Sequence, residues 1–121
     1  MEQISYPYRI FQMWTYTVGM GRLLLRSTKT PTFETRIDIL FQNVKALKTR
    51  SNLDGVSVRI ASPSEQSSFE LDCGISIGGE TVAYVLEGAG PLGYVIAGSV
   101  TFHEDEGEYD DESALLGSLG Q

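Results

Sequence analysis

The strongest chemical motif in the chain is Gly88-Ala89-Gly90-Pro91-Leu92-Gly93, a literal G-x-G-x-x-G directly after the strand-like run Thr81–Leu86. In a dinucleotide fold such glycines let the backbone approach a pyrophosphate seated at the start of the next helix. Asp110 even lies about 20 residues on, where a ribose-binding acid would stand. The motif leads, however, into the β-branched run Tyr94–Phe102, which cannot open a helix of a βαβ unit. The glycines therefore read as a connection between two strands. No Walker-type phosphate loop occurs elsewhere, and no nucleotide cofactor is expected.

His103 is the only histidine and Cys73 the only cysteine. In an extended chain His103 and Asp105 share a face, which supplies two ligands of a cation site and no third. The acids around them lack the spacing of an EF-hand loop, so no metal site is expected. A single cysteine excludes an internal disulfide. Cys73 alternates with Phe69 and Leu71 and reads as a small core residue on a strand, with Glu70 and Asp72 on the solvent face. No G-x-S-x-G elbow is present, and the carboxylate pairs show no sign of the buried setting that acid–base work needs.

Binding groups are more evident than catalytic ones. Tyr6 and Tyr8 stand ahead of the first confident strand, and Glu104, Asp105, Glu106, Glu108, Tyr109, Asp110 and Asp111 crowd the C-terminal end. These nine are the candidate partner-binding residues, since tyrosines are common contact residues and a dense acidic run attracts cations. The charge is unevenly placed. All nine Lys and Arg lie between Arg9 and Arg59, whereas His103 is the sole basic residue beyond Arg59, and the chain carries −7 in total. An acidic second half disfavours nucleic acid and anionic membrane as partners and favours a basic protein. A dipolar chain is also compatible with a homo-oligomer.

The elements that must position these groups are mostly strands. Trp14–Val18 alternates aromatic or aliphatic residues with threonine, Gly19-Met20-Gly21 interrupts, and Arg22–Ser27 resumes, the pattern of a hairpin. Val56–Ile60 and Phe69–Cys73 alternate as strands, and Gly78-Gly79 between Ile75–Ile77 and Thr81–Leu86 reads as a second hairpin turn. Arg36–Lys48 fits two readings: a helix capped by Thr35 with Ile37, Leu40, Phe41, Val44 and Leu47 on one stripe, or a strand with Ile37, Ile39 and Phe41 on one face. The hairpins on either side favour the strand. Ala61–Ser68, with Pro63 and four serines, reads as a polar loop. Ser113–Leu119 could form one apolar helical turn, its start favoured by Asp110, Asp111 and Glu112.

The resulting expectation is a mainly β, single-domain antiparallel β-sandwich or small open barrel, with at most one short helix and an acidic C-terminal tail. Residues 1–102 form the β domain, and residues 103–121 are a tail that is partly disordered or weakly docked. On that reading a chain ending at Phe102 or His103 keeps its fold with a modest loss of stability. The first residues lack the basic and apolar regions of a signal peptide, and no run approaches the roughly 20 apolar residues of a membrane helix, so a cytoplasmic protein is expected.

No motif specifies an activity. Composition and charge favour a non-enzymatic protein-binding module that engages a basic partner, in the manner of a small acidic inhibitor or immunity-type protein. A small-molecule-binding β domain and a hydrolase with an unrecognised carboxylate site are the alternatives.

Overall fold

A computed structural model describes residues 4–119. Eight strands, β1 (Ile4–Thr17), β2 (Arg22–Ser27), β3 (Arg36–Gln42), β4 (Ala46–Lys48), β5 (Asn52–Ile60), β6 (Val82–Glu87), β7 (Pro91–Ala97) and β8 (Ser99–Asp105), form one antiparallel sheet in the order β4-β7-β6-β5-β1-β2-β3-β8. The mainly β, antiparallel class expected from the alternation is the class observed. Arg36–Lys48 is strand, not helix, interrupted at Asn43, which takes a positive φ of 54°.

The sheet curls on itself through two bent strands. β3 and β4 are halves of one, β7 and β8 of the other, and the two pair with each other on both sides of the bend: Arg36 to Gln42 with Asp105 to Ser99, then Ala46 to Lys48 with Ile96 to Tyr94. At the bend the Gly98 N–H donates to Gln42 O at 2.9 Å, and the Lys45 N–H donates to Ile96 O at 2.8 Å. The run Tyr94–Phe102, read as one strand in the sequence, therefore turns a corner at Gly98.

Inside the curl, alternate residues of every long strand meet in one apolar core that includes Ile4, Phe11, Leu23, Leu25, Ile39, Phe41, Leu53, Val56, Leu86 and Val95. The opposite set of side chains faces outward, and two segments cover part of it. Helix α1 (Pro63–Cys73) lies over β6 and β7, where Phe69 and Cys73 pack with Tyr94, Ile96, Ala83 and Ile77. The segment from Gly107 onward, ending in α2 (Ala114–Leu119), lies over β2, β3 and β8. Among the described residues no helix is long and apolar enough to cross a membrane.

α1 corrects two expectations. The polar loop at Ala61–Ser68 and the strand at Phe69–Cys73 are one helix, because Ser62-Pro63-Ser64-Glu65 is a complete start signal. Ser62 Oγ accepts from the Glu65 N–H, the Glu65 carboxylate accepts from the Ser62 N–H, and Pro63 occupies the first turn. Phe69 and Cys73, four apart, face the sheet, and Leu71 is left 89% exposed. Ile75–Ile77 makes no ladder either. It is held against the helix by the Ile77 N–H donating to Glu70 Oε2 at 2.7 Å, so Gly78-Gly79 turns the chain into β6 alone.

Candidate functional site

β1 is the longest strand, and its two halves have different neighbours. Gln12–Thr17 pairs with β2, while Ile4–Tyr6 and Ile10–Gln12 pair with β5. Between Tyr6 and Ile10 the register with β5 slips, so that Pro7, Tyr8 and Arg9 bulge out of the ladder. Gly55 opposite the bulge has φ 75°, and a Cβ there would lie 2.7 Å from Pro7 O, so the close approach requires glycine. On the side where β2 would continue, the chain instead leaves as the loop 28–35. A trough results between the first half of β1 and that loop.

The trough has two compartments. One, of about 550 Å³, is lined by Ser5–Arg9, Pro31–Thr35, Ile37 and Glu104, and the other, of about 400 Å³, by residues including Tyr8, Ile10, Gln12, Arg26, Thr30 and Phe33. Arg9 lies between them, buried, with its guanidinium 4.4 Å from the centre of the Phe33 ring. It donates to Ser27 Oγ at 3.1 Å, to Thr35 Oγ1 at 3.2 Å and to Thr35 O at 2.6 Å. Thr35 passes the contact on, its hydroxyl donating to Glu104 Oε2 at 2.5 Å. Burial pulls the Arg9 pKa below its ordinary value, and burial together with Glu104 pushes that of Tyr6 up. Tyr6 also packs against Phe11 and Phe102, so it belongs to the floor. Tyr8 stands 86% exposed at the rim.

Strand alternation divides the acidic run. Glu104 points with Phe102 to the trough side, whereas His103 and Asp105 point to the outer face, their side chains 3.6 Å apart. Asp105 takes a fork from the buried Arg36, 3.1 Å to each oxygen. Arg36 reaches further, donating to the backbone carbonyls of Glu108, Asp111 and Glu112. Its neighbour Arg26 forks onto Asp38 and donates to Tyr109 O at 2.7 Å, beneath the Trp14 ring. The acidic segment is thus strapped down by its carbonyls, and its side chains are left outside. Glu106, Asp110 and Asp111 are exposed, Tyr109 meets Trp14 edge-on, and Glu108 pairs with Lys29 of the loop 28–35. The boundary drawn at Phe102 falls inside β8.

Of the nine candidate residues, Tyr6, Tyr8 and Glu104 come together at the trough, and the other six lie on or under the strap. Sequence reasoning missed Arg9, Phe33, Glu34 and Thr35, which carry no periodic signal. It also missed Arg26, Asp38 and Arg36, for which a signal existed: Arg26 follows Leu23–Leu25, and Arg36 and Asp38 flank Ile37 ahead of Ile39–Phe41, and charges set among such apolar runs imply that something covers that face.

A second groove, of about 580 Å³, runs beside α1 and is lined by three further carboxylates, Glu65, Asp72 and Glu87. Arg59 forks onto Glu65 and also binds Glu87, and the Arg59 fork together with the Ser62 N–H holds the Glu65 pKa down at about 2. Asp72 accepts from the Tyr94 hydroxyl and from Lys48, which holds it below the ordinary carboxylate range. Glu65 and Asp72 so engaged stay ionised near neutrality and cannot donate a proton there. The first half of the G-x-G-x-x-G motif, Gly88 to Gly90, forms the turn from β6 to β7, closed by the Gly88 N–H donating to Gly90 O, and Pro91 to Gly93 open β7. Among the described residues no three His, Cys, Asp or Glu side chains are placed to hold a metal ion. No family model, no curated protein and no solved structure matches the chain.

Proposed function

We propose that the protein is a non-enzymatic binding module that engages a basic protein partner through the trough along β1. The observation that carries this reading is the placing of charge in the trough. The Arg9 side chain is turned inward onto Ser27, Thr35 and Phe33, whereas the carboxylates of Glu34 and Glu104 are at exposed positions. In the larger compartment a ligand therefore meets acids and aromatic surface. The smaller has no carboxylate in its lining, its Arg26 is neutralised by Asp38, and Tyr8 and Ile10 offer 86% and 64% of their surface there. Glu34 and Glu104 make an acidic rim on the larger compartment, and the Lys29–Glu108 pair ties its loop wall to the strap that carries the acids of residues 106–112. Such a rim steers a cationic partner, and exposed aromatic and aliphatic side chains supply contact area once it docks.

The test is capture from the native host on immobilised wild-type protein and on a Tyr8→Ala/Glu104→Gln variant, at low and high salt, with retained proteins identified by mass spectrometry. One high-pI protein is expected on the wild type at low salt, released at high salt and absent from the variant. Retention that ignores both the salt and the substitutions overturns the reading.

A further inference from the structure

We infer that the segment taken up by the trough is extended and cationic, and that it adds to the sheet as a strand along the free edge of β1. This rests on the reading of the trough as the partner-binding site and specifies how the partner is held.

The hydrogen-bonding directions of β1 set the geometry. The Met13 N–H donates to Ser51 O at 2.8 Å, so Met13 and, by alternation, Phe11 turn their backbone groups toward β5. Gln12 then turns its groups the other way, onto Arg26 of β2. Ile10, two residues earlier, must point to that same side, but β2 has ended at Ser27 and the loop has moved off to form the trough wall. Among the described residues no ladder partner stands opposite Ile10 on that side. An unpaired strand edge is a template for another strand.

Other features agree with this occupant. The free part of that edge, from Ser5 to Ile10, suits a segment of about six extended residues. Pro7 contributes no N–H, and the bulge at Pro7–Arg9 bends the edge, so two copies of this irregular edge match each other poorly. The acids at Glu34 and Glu104 then select lysine or arginine at the end of the added strand that lies beside Ser5–Arg9, while the end beside Ile10 meets no carboxylate.

An eight-residue peptide of alternating lysine and valine tests this, alongside the same peptide N-methylated at alternate residues and a glutamate–valine counterpart. The lysine peptide is expected to bind and to slow hydrogen exchange at the Ile10 N–H. N-methylation is expected to weaken binding by about tenfold or more, since it removes the edge hydrogen bonds, and the glutamate peptide is expected not to bind. Equal binding of the N-methylated peptide, or binding without protection of Ile10, overturns strand addition and leaves the basic-partner reading in place. Failure of the lysine peptide to bind also overturns strand addition. The basic-partner reading itself stands or falls on the capture experiment with the trough variant.

Discussion

Arg26 and Asp38 are cross-strand partners on β2 and β3, joined by a forked ion pair of 2.7 and 3.1 Å, with 2% and 1% of their side chains exposed. A buried pair of this kind adds little over well-packed apolar residues, but removing one member strands the other. Asp38→Ala is therefore expected to cost about 3–5 kcal/mol, and Arg26→Met/Asp38→Leu less than the single change, the bond from Arg26 to Tyr109 O being what it still gives up. Chemical denaturation of both variants checks this. A single variant as stable as wild type means that water or another group reaches Arg26.

The strap makes the C-terminal segment structural. The charge map alone leads one to expect that a chain ending at His103 folds with a modest loss, but such a chain lacks Asp105 and the carbonyls of Glu108, Tyr109, Asp111 and Glu112, which Arg26 and Arg36 hold. At roughly 1.5–3 kcal/mol for a hydrogen bond to a charged group, losing even two of these takes much of a small domain's stability. The truncated chain is expected to be aggregated or non-cooperative in melting. Cooperative unfolding near the full-length temperature overturns this.

The contrast shows which parts of the molecule the residues announce. Period-2 alternation in Val56–Ile60 and Arg36–Phe41 made the sheet legible, because Val56, Val58, Ile37, Ile39 and Phe41 face the core, whereas Trp14–Val18 alternates without a core face, Tyr16 and Val18 being exposed. α1 was obscured because its apolar stripe is only Phe69 and Cys73, spacing that also fits a short strand, and its start lay within a serine-rich stretch that resembles a loop. The acidic residues were legible as charges, but their anchoring was not, since Arg26 and Arg36 hold backbone carbonyls that any sequence would supply. Half of the site was visible for the same reason: Tyr6, Tyr8 and Glu104 stand out by type, whereas Arg9 and Thr35 matter only because the bulge in β1 and the loop 28–35 bring them together.

Glycine is required where β4 and β7 close the curl. Gly93 has φ 144°, and a Cβ on it would lie 1.8 Å from Lys48 O. Gly93→Ala is expected to lose roughly 1–3 kcal/mol from backbone conformation alone, with the clash against β4 in addition. Gly90→Ala, where nothing lies within 4 Å, is the control and should stay within about 0.5 kcal/mol of wild type. Thermal melts of the pair decide it, and equal stability would mean that β4 detaches without cost.

Asp105 sets the acid limit of the strap. Burial works to raise its pKa, but the fork from Arg36 and the Gly107 N–H outweigh burial and hold the carboxyl below its ordinary value of 3.8. The unfolded chain therefore takes up this proton at a higher pH than the folded one. The bond's contribution is complete above pH 3.8 and is lost as the pH falls through the folded-state value. Trp14 is the only tryptophan, and it touches both Tyr109 of the strap and Arg26 beneath it, so its emission reports release of the segment. A change in Trp14 emission is expected below pH 3.8, ahead of the loss of sheet circular dichroism. In Asp105→Asn that low-pH step should vanish because the strap is already loosened at neutral pH. A transition centred well above pH 3.8, or one that Asp105→Asn leaves unmoved, would show that other carboxylates control the strap.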